Sequence, residues 1–347
     1  MMEKMYASLT WDYEMDNLQI FSEKLREARK TLESNKKIFM KPRILHTLDT
    51  LKNGMENGRF TCIIEGVVFE CLLQKKNSKR LYVMFNGAIG ERSEEKKIPN
   101  FQRWSWAPLV DATVLNIFDP MYLKYKNLKI GWYYGTKDQD YRELLGRLIR
   151  TVADALSIRC EDVVLYGSSA GGTAAVFTAH YVPECTVVAI NPQLRLYKHE
   201  WYDHFVEITG IDTKEKDARH RNDVFFHIDH TPDTRFLIMT NINSRVDFNY
   251  QLIPVAQHYG FNIHYGLLKN KNLYSWVFDN KENHRGIDYP SIFVAIDHFV
   301  ADILPNRTIE ECAGYVRFIN EFWKDHYDLI YENKELKKQI EVLKQGS

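Results

Sequence analysis

The sequence predicts an α/β protein built on a mostly parallel sheet covered by helices on both faces. Three observations carry that expectation. Short apolar runs alternate with helix-period segments along most of the chain beyond residue 59. The strand-like run "DVVLYG" passes through a cluster of glycines and serines straight into the small-residue helix "TAAVFTAH". The chain has 347 residues, 45% of them hydrophobic, which is enough for one large core.

The elements follow in order. "DNLQIFSEKLREARKTLESNKK" spaces apolar residues at helical intervals between charges and reads as an accessory helix. "RFTCIIEG", "VVFECLLQ" and "RLYVMFNG" are β-rich, the first two joined near Gly66 and the next pair separated by the polar turn "KKNSK", an antiparallel entry to the sheet. Strands "DATVLNIFD", "DVVLYG", "CTVVAIN", "TRFLIMTN" and "FNIHYGLL" then alternate with helices "YRELLGRLIRTVADALS", "TAAVFTAHY", "YQLIPVAQHYG" and a last one around residues 292–303. This predicts a helical extension over 1–55, a main domain over 56–305 and a C-terminal helix over 306–347.

Composition narrows the function classes. Lys+Arg and Asp+Glu balance at 46 each, so the general attraction of a basic protein for nucleic acid or anionic lipid is absent. The five cysteines, Cys62, Cys71, Cys160, Cys185 and Cys312, are scattered and odd in number, which predicts reduced thiols, no metal site and a cytoplasmic setting. No run approaches membrane-spanning length and the first residues lack a signal-peptide pattern.

The run Gly167-Ser168-Ser169-Ala170-Gly171 fits G-x-S-x-G at a strand-to-helix turn. Glycines on either side let the backbone bend and keep side chains away, so the hydroxyl of Ser169 stands exposed as a candidate nucleophile, with Ser168 a turn residue. A packing turn is the competing reading. A phosphate loop is disfavoured because no Lys-Ser or Lys-Thr follows the glycines.

A serine needs a base and an orienting acid, in the order Ser, acid, His at the ends of later strands. Asp247, in the loop after "TRFLIMTN", is the candidate acid, with a helix-cap role as its alternative. His284, in the loop before the last helix, is the candidate base. His264 lies in an expected strand, His298 in a helix and His180 at the far end of the helix after Ser169. Asp279 and Glu282 are rival acids on the base's own loop. For the oxyanion, the N–H of Ala170 is one candidate donor, and Gly87 in "VMFNGAIG" is the other or a plain turn residue.

Together "YGSSAGG", Asp247 and His284 resemble the α/β-hydrolase fold, and "LYVMFNGA", "FQRWSW", "FDPMYL", "GWYYGT", "YGSSAGG" and "INPQ" are similar to bacterial capsular-polysaccharide biosynthesis proteins of that fold, a group that includes polymer O-acetyltransferases. The resemblance spans roughly residues 79–290. It implies an acyl-Ser169 intermediate, acetyl-CoA as co-substrate with no permanently bound cofactor, and a polysaccharide or oligosaccharide hydroxyl as acceptor. A carbohydrate esterase or deacetylase with the same triad, and a non-catalytic scaffold in glycan assembly or export, stay open as alternatives. Trp104, Trp106, Trp132, Tyr133 and Tyr134 suit sugar stacking or, more commonly, a core. Asp119 in "IFDP" fits a substrate contact or a turn cap equally.

In the C-terminal run Phe322, Leu329, Leu336 and Leu343 recur every seven residues, with Ile319, His326, Asn333 and Ile340 on the companion seam, a coiled-coil pattern that predicts a homo-oligomer. An amphipathic helix laid on its own domain is the alternative. Sedimentation of the full chain against one ending near Glu321 separates the two: the coiled coil predicts a heavier species for the full chain alone, and a full-length monomer at micromolar concentration rejects it.

Overall fold

The computed structural model describes residues 19–28, 30–31, 36–38, 43–90, 98–215, 220–281, 283–285 and 289–324. Among them, ten strands form one sheet: β1 (Ile44–His46), β2 (Gly58–Ile64), β3 (Val67–Gln74), β4 (Leu81–Phe85), β5 (Thr113–Ile117), β6 (Val163–Ser168), β7 (Thr186–Ile190), β8 (Arg235–Asn241), β9 (Gly266–Asn270) and β10 (Leu273–Phe278). Their order is β1-β2-β3-β5-β4-β6-β7-β8-β10-β9. The run β5-β4-β6-β7-β8-β10 is parallel throughout, whereas β3 and β9 run against their neighbours.

Residues of the central strands alternate between two apolar layers. Leu81, Val83, Phe85, Leu165, Val187 and Ile238 join one cluster, and Tyr82, Met84, Tyr166, Val188 and Met239 join the other. A parallel sheet buried on both faces gives this pattern, so the strands read as continuous apolar runs. The first cluster is covered by α1 (Tyr141–Ala155), α2 (Ala170–Thr178) and α3 (Ile253–Tyr259), the second by α4 (Pro290–His298), the helical residues 309–324 and the accessory helix through Phe21 and Ala28. The fold is therefore an α/β-hydrolase-like, mostly parallel sheet flanked by helices.

The buried Asp297 carboxylate ties the second layer to the sheet, accepting from Arg80 Nη2 at 2.7 Å and Tyr82 Oη at 3.0 Å, with Lys24 Nζ at 3.5 Å. Ile319 and Phe322, the first positions of the seven-residue pattern, pack on the domain's own core. Asn320 beside them exchanges hydrogen bonds with Trp276 and the Val277 carbonyl. Leu329, Leu336, Leu343, His326, Asn333 and Ile340 lie outside the described residues.

Two expectations are corrected. β3 and β4 do not pair, because β5 lies between them; Lys76 on the "KKNSK" turn is bonded through both its N–H and its carbonyl to Thr113 Oγ1, which fastens the turn to β5. The strand drawn from "FNIHYGLL" covers only Gly266–Asn270, and "LYSWVF", read as loop, is β10. A two-residue turn at Lys271-Asn272, with Lys271 at φ 49°, folds β10 back between β9 and β8. His264 is thus in an exposed loop, and His284 follows β10.

The turn after β6 is built differently from the expectation too. The residue with the unusual backbone is Ser169 itself, at φ 53° and ψ −127°. The glycines serve close approach: a Cβ on Gly167 would stand 2.3 Å from the Gly171 carbonyl carbon, and one on Gly171 would stand 2.8 Å from the Phe85 carbonyl oxygen. A second tight feature follows β5, where the buried Asp119 carboxylate accepts from the N–H of Met121 at 2.9 Å and of Tyr133 at 3.0 Å. It holds a turn in which Trp132 and Tyr133 both have φ 53°. Burial raises the Asp119 carboxyl to about 7, partly offset by those two N–H groups.

Gly167→Ala is expected to lower stability by about 1–3 kcal/mol through overpacking, whereas Gly314→Ala, in a helix with open space around the new Cβ, should raise it by about 0.5–1 kcal/mol; urea denaturation midpoints at constant slope check both. For Asp119 the folded value of about 7 lies above that of an unfolded aspartate, about 3.9. The folded chain therefore keeps a proton that the unfolded chain has released, so this residue's contribution to stability falls as pH rises from about 4 to about 7 and is flat above. The difference in unfolding free energy between wild type and Asp119→Asn should change across that window and not beyond it.

Candidate active site

Because β4 to β8 and β10 are parallel, their carboxyl ends open at one edge, where ligands of open α/β sheets bind. Each candidate residue comes from a loop at that edge. Ser169 follows β6, its N–H donating to the Ile190 carbonyl at 2.9 Å. Asp247 closes the short helical turn Arg245–Asp247 after β8, and His284 lies in the 3₁₀ turn Asn283–Arg285 after β10.

The structure brings the three together. Ser169 Oγ is 2.8 Å from His284 Nε2, and His284 Nδ1 is 2.7 Å from Asp247 Oδ2. The carboxylate can only accept, so Nδ1 carries the proton and Nε2 is left to accept from the serine hydroxyl. Asp247 is 1% exposed while the imidazole is 39% exposed, so the carboxylate is sealed and the imidazole faces the opening. Ser244 Oγ also donates to Asp247 Oδ2. The rival Asp279 is committed elsewhere, to Lys324 at 3.2 Å and to Asn243 Nδ2, and Glu282 lies outside the described residues. His180 and His298 sit at or beyond helix ends, stacked edge-on with neighbouring rings.

Ala170 begins α2, so its N–H has no intrahelical acceptor and faces the dipole-favoured end. Gly87 lies directly over the turn of Ser169: a Cβ there would be 3.4 Å from the Ser168 carbonyl oxygen and 3.9 Å from Ser169 Cβ. Its N–H, however, donates to Gln102 Oε1 at 2.8 Å. To serve an oxyanion it must exchange that amide oxygen for the acyl oxygen.

Several side chains that the sequence left without a role converge on this point. In "FQRWSW", Arg103 has φ 61° and is 9% exposed. Its guanidinium donates to the Phe85 carbonyl at the end of β4 at 3.1 Å and to Ser168 Oγ at the end of β6, and lies 5.7 Å from both the Trp106 and Tyr166 ring centres. The next segments along, "GWYYGT" and "INPQ", meet as well: Trp132 Nε1 donates to Gln193 Oε1 at 3.1 Å, and Gln193 Nε2 donates to Ser169 Oγ at 3.2 Å. Trp132, Tyr133 and Tyr134 are buried, Trp106 nearly so, and Trp104 is half-buried.

The strand-ending asparagines carry the loops. Asn191 Nδ2 donates to the His284 carbonyl at 2.9 Å, and its Oδ1 accepts the Asn241 N–H at 2.9 Å. Asn241 Nδ2 in turn reaches the carbonyls of Asn280 at 3.0 Å and Asn283 at 2.8 Å. The only sequence signal for these roles is that "VVAIN" and "LIMTN" both end in asparagine.

No protein family and no curated protein matches the chain. Among solved structures it is similar to the glycosylation-associated protein complex Gap123 of Streptococcus agalactiae, at 16% identity and TM-score 0.49, over 71% of this chain. The chain spans less than half of that one, 46%. It is similar to the capsule O-acetyltransferase of Neisseria meningitidis serogroup A, at 16% identity and TM-score 0.46, covering 72% of this chain and 99% of that one. It is similar also to an acetyl xylan esterase from Paenibacillus sp. R4, at 12% identity and TM-score 0.42, covering 73% and 91%. The fold itself rests on this chain's own sheet order and on the placement of Ser169 at the strand-to-helix turn.

Proposed function

We propose that the protein is a serine-dependent acyltransferase that passes an acetyl group from acetyl-CoA through acyl-Ser169 to a hydroxyl of a capsular or other surface glycan. The observation that carries the reading is the unbroken chain Ser169 Oγ, His284 Nε2, His284 Nδ1, Asp247 Oδ2, with links of 2.8 and 2.7 Å at the open edge of the sheet. In it, Ser169 Oγ attacks the acyl carbonyl and gives its proton to His284 Nε2; Asp247 holds the imidazole in the required tautomer and stabilises the imidazolium; the same nitrogen returns the proton to the departing thiolate. The Ala170 N–H and, once released by Gln102, the Gly87 N–H face the oxyanion. The acetyl donor and glycan acceptor are supported by the motif resemblance across residues 79–290. Release of free CoA from acetyl-CoA, with and without capsular oligosaccharides and with the acetylated oligosaccharide quantified, tests the reading, and rapid acetate release from acetylated glycans without transfer would support the esterase instead.

Ser169→Ala should abolish turnover in a folded chain. His284→Ala and Asp247→Asn should each lower kcat on the order of 10³- to 10⁴-fold, with little further loss when combined with Ser169→Ala, because the three act as a unit. Arg103→Lys removes a planar fork that bridges the ends of β4 and β6. Displacing the nucleophile turn relative to the oxyanion loop should cost about tenfold to a hundredfold in kcat, with little change in thermal midpoint relative to Arg103→Ala.

A further inference from the structure

A second histidine stands at the carboxyl edge of the sheet, on the segment after β7, and the chemistry above gives it no part. The ring of His199 lies edge-on to the buried Trp132, with centres 5.7 Å apart, and to Trp201, at 5.6 Å. Trp132 reaches Gln193, and Gln193 reaches both Ser169 Oγ and His284 Nε2, so His199 is joined to the reacting atoms through two side chains. Trp201 faces the loop after β4: a Cβ on Gly90 would be 3.8 Å from its Cη2. His199 and Trp201 are both half-buried. The Trp201 N–H donates to His199 Nδ1 at 3.1 Å, which leaves that nitrogen without a proton and puts the hydrogen of the neutral imidazole on Nε2. Burial, and after it the charge of nearby His284, pushes His199 down to about 4, so the ring is uncharged at neutral pH. Its Nε2 meets no hydrogen-bond partner among the described residues.

We propose that His199 and Trp201 form an acceptor subsite beside His284 for an uncharged, hydroxyl-bearing ring, with His199 Nε2 donating to one oxygen of the ring and the indole covering its apolar part. This rests on the reading of Ser169 as the nucleophile of an acyl transfer. The chemistry of the pair selects the occupant. A fixed, uncharged N–H donor beside aromatic surface matches a pyranose, whose hydroxyl oxygens accept hydrogen bonds and whose C–H bonds are apolar. The pair holds no positive charge for a phosphate, so the nucleotide end of an acyl-CoA belongs elsewhere. In the transfer, another hydroxyl of the same ring bonds through its oxygen to the acyl carbon and passes its hydrogen to His284 Nε2. The bond to Ser169 Oγ then breaks, and the imidazolium proton moves to that oxygen. His199 thereby sets which hydroxyl arrives at His284, and it takes no part in the earlier acylation of Ser169.

The full-length protein is acylated with p-nitrophenyl acetate and offered a panel of methyl pyranosides or propan-1-ol, and p-nitrophenol and each acetylated product are quantified. At equal acceptor concentration the wild type should acetylate at least one pyranoside about fivefold or more faster than propanol. His199→Phe keeps a ring and removes the donor; it should raise KM for that pyranoside about threefold to tenfold and leave acylation and transfer to propanol unchanged. His199→Gln, whose amide nitrogen reaches the place of Nε2, should recover most of the loss. Trp201→Ala keeps the backbone N–H that orients the imidazole and should raise the same KM. If no pyranoside exceeds propanol, or if acylation and transfer to both acceptors fall together in His199→Phe and Trp201→Ala, the two residues are structural and the proposal fails while the serine reading stands. With acetyl-CoA as donor, a rise in its KM in place of the pyranoside's puts the contact on the donor and also overturns the proposal. If the wild type neither releases p-nitrophenol nor is labelled at Ser169 by a fluorophosphonate, the serine reading itself fails, and this proposal with it.

Discussion

The site depends on how closely three stretches of backbone approach one another. Gly167 at the end of β6 lies against the first turn of α2, and Gly171 in that turn lies against the carbonyls of Phe85 and Asn86 at the end of β4. Any side chain at either glycine would drive these segments apart, because the atoms met are backbone, which cannot swing aside. With the three in contact, Ser169 is forced into a conformation that side-chain-bearing residues avoid, and its N–H is caught by the Ile190 carbonyl on β7. Ser169 is thus fixed relative to the loop of Gly87 by contact rather than by hydrogen bonds of its own side chain. Arg103 reinforces the same junction from the second layer, spanning the ends of β4 and β6.

Around this junction the loops are carried by buried amides and carboxylates. Asp119 shapes the turn that presents Trp132, Trp132 orients Gln193, and Gln193 meets Ser169. On the other side Asn191 and Asn241 lace β7 and β8 to the loop of His284. Buried polar groups are costly when unmatched, so each member of such a network specifies one arrangement of its neighbours. An apolar core would have stabilised the sheet equally well and left the loops unplaced.

How much of this was legible in the sequence follows from the range of each interaction. The parallel sheet was readable because strand burial on both faces writes itself as uninterrupted apolar runs, and Ser169, Asp247 and His284 stood out through local motif and chain order. β10 was missed because the hairpin turn at Lys271-Asn272 lacks the glycine that usually marks one, and "LYSWVF" has meaning as a strand only beside β8. The pairing of β3 was misread for a similar reason: a polar turn announces a reversal and says nothing of a third strand that later inserts. Arg103 lies in "FQRWSW" and Asn191 and Gln193 in "INPQ", motifs that carried the resemblance without a role for any one residue, since a single amide or guanidinium acquires its role from partners far away in the chain.

The place of β10 has a consequence for synthesis on the ribosome. β8 ends at Asn241, and its neighbour in the sheet is not complete until Phe278, after β9 has already been made. During that interval the nascent chain presents an open parallel edge rich in Phe236, Leu237, Ile238 and Met239, the kind of edge that other chains join. The strand that closes it is also the one that delivers the loop of His284. Protection of this edge and assembly of the hydrogen-bonded chain from Ser169 through His284 to Asp247 are therefore the same late event, and a chain arrested before it would lack that arrangement and be adhesive.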